Sequence, residues 1–337
     1  MKLVGKSGRL LSKTPGRLLR IHNFYVVGGT IGTGVNRVKK YDSDGELEFD
    51  TFNLATVHAV IIDQAEYIYI GHSKANNISI RQLDFEDGSI LSSYILSSDN
   101  ITNDLSLDLR RNIYKVGFGG SSSYRLRKIN PSGDTLFLVP PSGGTLSSRG
   151  VSGDRENNVV SGVYFTSTNR LQKHTSTGDE LWANNLSGGT AHSISTDINS
   201  HIYVASFASI STQPGLYKFN PNGTQLWSVN NIASQESVDG RRVNSNGDVE
   251  VVCCGGLVSG ANVRKYAGAT GNLVWAVNLA GVSYKSLSVD LAGDIVLGSA
   301  PNGSPNKNVR KIDGVDGTLI WDLLTASDQT INSVKAT

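Results

Sequence analysis

Apolar and polar positions alternate along this chain in short runs that are broken by turn residues. Leu216-Tyr217-Lys218-Phe219 is followed by Asn220-Pro221-Asn222-Gly223 and then by Gln225-Leu226-Trp227-Ser228-Val229. A period of two on both sides of a Pro/Gly turn predicts a β-hairpin. The module recurs. Gly45/Phe49, Gly88/Ser92, Gly133/Phe137, Gly178/Trp182, Gly223/Trp227, Gly271/Trp275 and Gly317/Trp321 place a glycine four residues before a large apolar side chain, and only Ser92 departs from the pattern. The second members are separated by 43, 45, 45, 45, 48 and 46 residues.

Each repeat predicts four strands. A strand ending in Asp63, Asp108, Asp154, Asp197, Asn244 or Asp290 leads into a β-branched or aromatic run such as Ile202-Tyr203-Val204. The acid is expected to open a turn by accepting from the backbone two residues on. A basic strand follows, carrying Lys40, Lys128, Lys173, Lys218, Lys265 or Lys311, with Gln82 in the second repeat, and the aromatic strand comes last. Seven units of about 45 residues with four short strands each predict an all-β fold: a seven-bladed β-propeller of four-stranded antiparallel blades.

The ends of the chain predict how the ring closes. Counting Lys335 as 45 residues after Asp290 places the last segment in register with Leu287-Ser288-Val289-Asp290. The C-terminal strand then becomes the innermost strand of the N-terminal blade, which removes an open sheet edge. Leu18-Leu19-Arg20-Ile21 is a competing inner strand, disfavoured by Pro15 and Gly16 at its start.

Charge divides the chain into residues 1–20 and 21–337. Residues 1–41 hold nine Lys or Arg and no acid, which leaves 22 basic against 29 acidic residues for the rest. Lys2, Lys6, Arg9, Lys13, Arg17 and Arg20 lie in the part that the repeats leave over. Their spacing suits one helical face, but Gly5, Gly8, Pro15 and Gly16 disfavour a free helix. This segment reads as a basic arm that docks on an acidic neighbour, against the plainer reading of a solvated tail.

The lysine ladder recurs in nearly every repeat, so it reads as structural, with stems packed between blades and ammonium groups reaching solvent or an acid. The six histidines lack zinc-type spacing and no G-x-S-x-G elbow is present. No run approaches a membrane span and the N-terminus lacks the apolar core of a secretion signal. These features predict no catalytic, cofactor or metal site, no nucleic-acid partner and no membrane insertion. The positions five before each turn acid remain as channel-mouth candidates: His58, Asn103, Arg149, His192, Asp239, Lys285 and, by the same count, Thr330.

Thr177-Gly178-Asp179-Glu180-Leu181-Trp182 and Thr270-Gly271-Asn272-Leu273-Val274-Trp275 resemble the tryptophan-docking repeats of the pyrroloquinoline-quinone-like propeller superfamily, to which WD40-type repeats are architecturally akin. The resemblance is stronger in the last four repeats than in the first three. Some members of that superfamily are quinone-dependent dehydrogenases and others are scaffolds without a cofactor. The enzymes carry a vicinal disulfide, which the resemblance would place at Cys253-Cys254. They also usually have eight blades and a periplasmic signal, and here both cysteines fall inside an apolar strand. The expectation is therefore a non-enzymatic bacteriophage virion component (tail, nozzle or baseplate-associated), assembled in the host cytoplasm in multiple copies and contacting other virion proteins. The alternatives are a quinone-dependent or glycan-directed enzyme and an intracellular bacterial scaffold.

Overall fold

A computed structural model describes residues 25–31, 36–54, 56–75, 78–96, 99–119, 124–139, 145–165, 169–187, 189–207, 215–230, 235–243, 249–258, 261–279, 284–299, 309–323 and 329–336. The strands are β1 (Tyr25–Ile31), β2 (Asn36–Tyr41), β3 (Leu47–Leu54), β4 (Val57–Ile62), β5 (Tyr67–Ala75), β6 (Ile78–Asp84) and β7 (Ile90–Ile95). They continue as β8 (Asp99–Leu107), β9 (Ile113–Gly119), β10 (Tyr124–Ile129), β11 (Thr135–Val139), β12 (Thr145–Gly153), β13 (Val159–Phe165), β14 (Asn169–His174) and β15 (Glu180–Leu186). The third group is β16 (Thr190–Thr196), β17 (Ile202–Phe207), β18 (Leu216–Phe219), β19 (Gln225–Val229), β20 (Gln235–Val243), β21 (Val249–Val258), β22 (Ala261–Ala267) and β23 (Leu273–Val277). The last are β24 (Tyr284–Val289), β25 (Ile295–Ser299), β26 (Val309–Ile312), β27 (Leu319–Leu323) and β28 (Gln329–Ala336).

Consecutive strands pair antiparallel into the four-stranded sheets β12–β15, β16–β19, β20–β23 and β24–β27, while β28 pairs with β1 to give the order β28-β1-β2-β3. The units β4–β7 and β8–β11 are joined by one bridge, Ser73 to Ile101. Five units show the predicted chemistry in their first turn, while the Asn244 turn lies outside the described residues. Asp154 Oδ1 accepts from the backbone N–H groups of Glu156 and Asn158, both at 2.9 Å. Asp63, Asp108 and Asp197 do the same to their second and fourth followers, and Asp290 to its third and fourth. The fourth turn residue (Glu66, Arg111, Asn157, Ser200, Gly293) has positive φ, and the paired cap holds that left-handed geometry in place.

The glycine and aromatic of the repeat act between units. At Gly223, φ is +87° and an added Cβ would lie 2.8 Å from the Trp182 ring, so the turn must be bare for the indole of the preceding unit to lie on it. Trp182 Nε1 donates to Pro221 O at 3.0 Å, and Trp227 Nε1 donates to Gly268 O at 3.1 Å. Trp321 Nε1 reaches Ser43 O at 3.2 Å, joining the last repeat to the first. Ser92 stands opposite Gln82, where the other repeats pair the aromatic with lysine. Tyr94, two residues further along the same face, does the docking instead: its ring covers Gly133 and its hydroxyl donates to Pro131 O at 3.0 Å.

The lysine ladder is structural, but its ammonium groups do not end in solvent. Lys40, Lys128, Lys173, Lys218, Lys265 and Lys311 are all buried. Lys128 pairs with Asp108 at 3.0 Å, Lys173 with Asp154 at 2.8 Å and Lys311 with Asp290 at 3.3 Å. Several of the same groups also donate into the next unit, Lys40 to Phe85 O, Lys173 to Pro221 O and Lys218 to Gly268 O. Where Gln82 replaces the lysine, Arg111 of the next unit supplies the cation to Asp63 at 2.7 Å. Cys253 and Cys254 lie on β21 as expected, though their side chains fall outside the described residues, as does the basic arm.

Candidate functional site

The first strands of the units surround one cavity of about 330 Å³, whose walls come from β4, β8, β12, β16, β24 and β28 and from the adjoining turns. The edge of a first strand that its own sheet leaves unpaired carries backbone N–H groups in need of acceptors. Side chains of the preceding unit supply them. Asp104 accepts from Val151 N and Ser106 from Gly153 N, both at 2.9 Å. Ser286 and Ser288 accept from Val334 N and Ala336 N, and Ser333 accepts from Val60 N at 3.0 Å. Sequence reasoning missed these ties. Their signal is an alternation ahead of the turn acid, Asp104-x-Ser106-x-Asp108, Ser193-x-Ser195-x-Asp197 and Ser286-x-Ser288-x-Asp290, which reads as ordinary solvent-facing strand until the neighbouring strand is seen.

The expected mouth residues lie on the first strands, His58, His192 and Lys285 near the starts of β4, β16 and β24, and Asn103, Arg149 and Asp239 at the middle of β8, β12 and β20. His58 is half-buried with Nε2 2.9 Å from Ser73 Oγ. Burial, then the charges of His72 and Arg149, push its pKa below the usual imidazole value. Asn103 Nδ2 donates to Ser148 O at 2.6 Å, next to Arg149 in sequence. Arg149 and Lys285 are exposed and His192 is half-buried. Asp239 is in β20, but its side chain lies outside the described residues.

Thr330 requires correction. The ladder sets Lys335 opposite Val26, the place that Ser288 takes opposite Val296. Lys335 is thus two residues short of the turn-acid position, and the mouth position belongs to Asn332. Its Nδ2 donates to Val57 O at 2.7 Å, the same tie that Asn103 makes. With threonine at 337 in place of an acid, the last repeat offers nothing to anchor its register, and equal spacing misplaced it.

His72 and His174 are also buried, and burial lowers both pKa values. Nδ1 of His72 sits 2.8 Å from Ser73 O. All three imidazoles bind protons less readily folded than unfolded. As pH falls through about 6.5 the unfolded chain takes up protons first, so stability is full above that pH and declines below it. The urea midpoint is expected to fall between pH 7.5 and 5.5, and less steeply in His72→Gln; equal slopes would remove His72 from the account.

No protein-family model and no curated protein sequence matches the chain. Solved structures do. A protein from Lactobacillus plantarum aligns at TM-score 0.69 with 13% identity, covering 94% of this chain and 100% of that one. The WD40 β-propeller domain of Doa1 aligns at 0.60 with 16% identity over 85% of this chain and 88% of that one. A Bacteroides caccae protein of unknown function aligns at 0.52 with 15% identity over 94% and 98%. At these identities the likeness is one of fold, and the fold is propeller-like, built of four-stranded antiparallel sheets.

Proposed function

We propose that the chain forms a seven-bladed β-propeller, closed by β28 on the N-terminal blade, and works as a non-enzymatic structural and protein-interaction module. The pairing of β28 with β1 and the hydrogen bond from Trp321 to Ser43 O support the closure. The observation that carries the functional reading is where the polar chemistry of the interior goes. Buried carboxylates cap turns and hold lysines, the lysines bridge to the next unit, and the cavity-wall hydroxyls accept from neighbouring strands. Groups held this way build a rigid disc, and function then falls to its surface and to the basic arm.

In this reading Lys2, Lys6, Arg9, Lys13, Arg17 and Arg20 dock on an acidic surface of another subunit, and the disc is a repeated part of a larger particle, a bacteriophage virion being the assembly we favour. Deleting residues 1–16 is expected to leave a folded monomer, by circular dichroism and thermal melting, that no longer enters the assembly by sedimentation. Retained assembly would remove the arm from the proposal, and an unfolded product would make the segment part of the disc. Electron microscopy of the native source decides the virion reading: discs within a phage particle support it, and free discs oppose it.

A further inference from the structure

The units end on their fourth strands, β3, β7, β11, β15, β19, β23 and β27, whose outer edges pair with no other strand among the described residues. Each of these strands also exposes apolar side chains, such as Leu47 at 53%, Leu91 at 47% and Leu319 at 52%. An unpaired edge with apolar side chains is a surface that another segment can cover.

Charge singles out three of the seven edges. The outer hairpins that end on β27, β3 and β7, residues 313–323, 42–50 and 84–95, hold eleven Asp or Glu and no Lys or Arg. The other four, residues 130–139, 175–186, 220–229 and 267–277, hold three acids between them. The acidic hairpins are also neighbours. The 42–45 turn lies on β27, where Trp321 Nε1 donates to Ser43 O and Leu323 adjoins Gly45. The 84–88 turn lies on β3, where Thr51 Oγ1 donates to Gly88 O at 2.8 Å and a Cβ on Gly88 would touch the Phe49 ring. Glu48 and Asp50 are answered by Lys40 and Arg37 of β2. Asp44, Glu46, Asp87 and Asp316 are exposed and form no ion pair among the described residues.

The basic arm joins the fold beside this sector. β1 begins at Tyr25 opposite Tyr41, so the chain enters its unit at the end where the 42–45 turn leaves. Residues 1–20 set Lys2, Lys6, Arg9, Lys13, Arg17 and Arg20 among Leu3, Val4, Leu10, Leu11, Leu18 and Leu19, with no acid. A basic and apolar segment is the complement of an apolar edge flanked by acids.

We propose that the acidic surface on which the arm docks is this sector of a second copy of the chain. The proposal rests on the reading that the arm binds another subunit. Because the root of the arm and the sector lie together, two copies set sector to sector exchange arms reciprocally, an isologous pair with two equal contacts. Pairing should weaken as sodium chloride is raised from about 0.05 to about 0.3 M, where the screening length falls below about 10 Å.

The test is sedimentation velocity of the full chain over a range of concentrations, beside two variants. One lacks residues 1–16. The other carries Asp44→Asn, Glu46→Gln, Asp87→Asn and Asp316→Asn, which neutralise the sector at exposed positions. The expected result is a reversible pair for the wild-type chain and pairing about tenfold or more weaker in either variant alone. A mixture of the two variants should form one-to-one pairs again, since one brings the sector and the other the arm. Circular dichroism and melting check that both are folded; if the truncation is not, a full-length chain with Lys6→Glu, Arg9→Glu and Lys13→Glu takes its place. Wild-type pairing by the sector variant, or a mixture that stays monomeric, overturns this surface and leaves the arm to another protein. A wild-type chain that is monomeric at every concentration, its arm held by its own sector or not, does the same. Undiminished pairing without the arm overturns both this surface and the arm reading.

Discussion

Asp154→Ala is expected to lower the free energy of unfolding by about 3–5 kcal/mol, the cost of leaving one partner of a buried ion pair without the other. Lys173 and Asp154 are 2% and 5% exposed and lie 2.8 Å apart. Without the carboxylate the Lys173 ammonium keeps Pro221 O, at 3.1 Å, and two turn N–H groups lose their acceptor. Lys173→Met in the same chain should recover part of the loss, with a coupling on the order of 1–3 kcal/mol, because no bare charge then remains buried. Glu180→Ala is the contrast. Glu180 meets Arg170 at 3.5 Å with both side chains about a third or more exposed, so its loss should cost under about 1 kcal/mol. Urea unfolding of Asp154→Ala, Lys173→Met, the double variant and Glu180→Ala checks this. If Asp154→Ala costs no more than Glu180→Ala, the buried ladder is not what holds adjacent units together.

The spacing of Gly178/Trp182, Gly223/Trp227, Gly271/Trp275 and Gly317/Trp321 made the fold legible because each pair acts twice. The glycine sets a local hairpin turn, and the same turn receives the aromatic side chain of the preceding unit, Phe137 at Gly178 and a tryptophan at the other three. A feature with one local and one long-range duty leaves a strong period in the sequence. Tyr94 shows where that reading stops: the docking surface on Gly133 asks for an aromatic ring from that face of the strand, and a residue two places along supplies it as well as one at the expected site.

The candidate site was less legible. The mouth positions followed from counting back from the turn acids, and the count failed where the last repeat has no acid. What holds the mouth is a set of contacts between residues about 45 apart, such as Asn103 with Ser148. An asparagine within a first strand has the same sequence signature whether it faces water or a neighbouring carbonyl. The serines of the cavity wall are similar. Their alternation with the apolar positions is visible, but its meaning comes from the adjacent first strand.

Trp321→Ala is expected to lower stability by about 2–4 kcal/mol, the order for removing a large, partly buried side chain, and to do so unevenly among the units. Trp321 is the aromatic that reaches across the chain ends, to Ser43 O, while Leu323 two residues on lies 3.4 Å from the site of a Cβ on Gly45. The same junction is held on its inner side by the pairing of β28 with β1 and by Ser333 and Asn332, which bond Val60 N and Val57 O. If the ring closes as proposed, the inner and outer sets share one load. Losing the outer dock then lets β1 to β3 move against the last unit, and amides of β1 and β2 should exchange faster relative to those of β17 and β18. Trp227→Ala removes equivalent chemistry, a donor to Gly268 O and a ring on Gly271, from the middle of the chain. It should cost a similar amount and shift the loss of protection to β18 and β22, leaving β1 and β2 protected. Hydrogen exchange by mass spectrometry separates the two patterns. Identical patterns for both variants would mean that opening is global, and that the junction of the two chain ends is no weaker than any other.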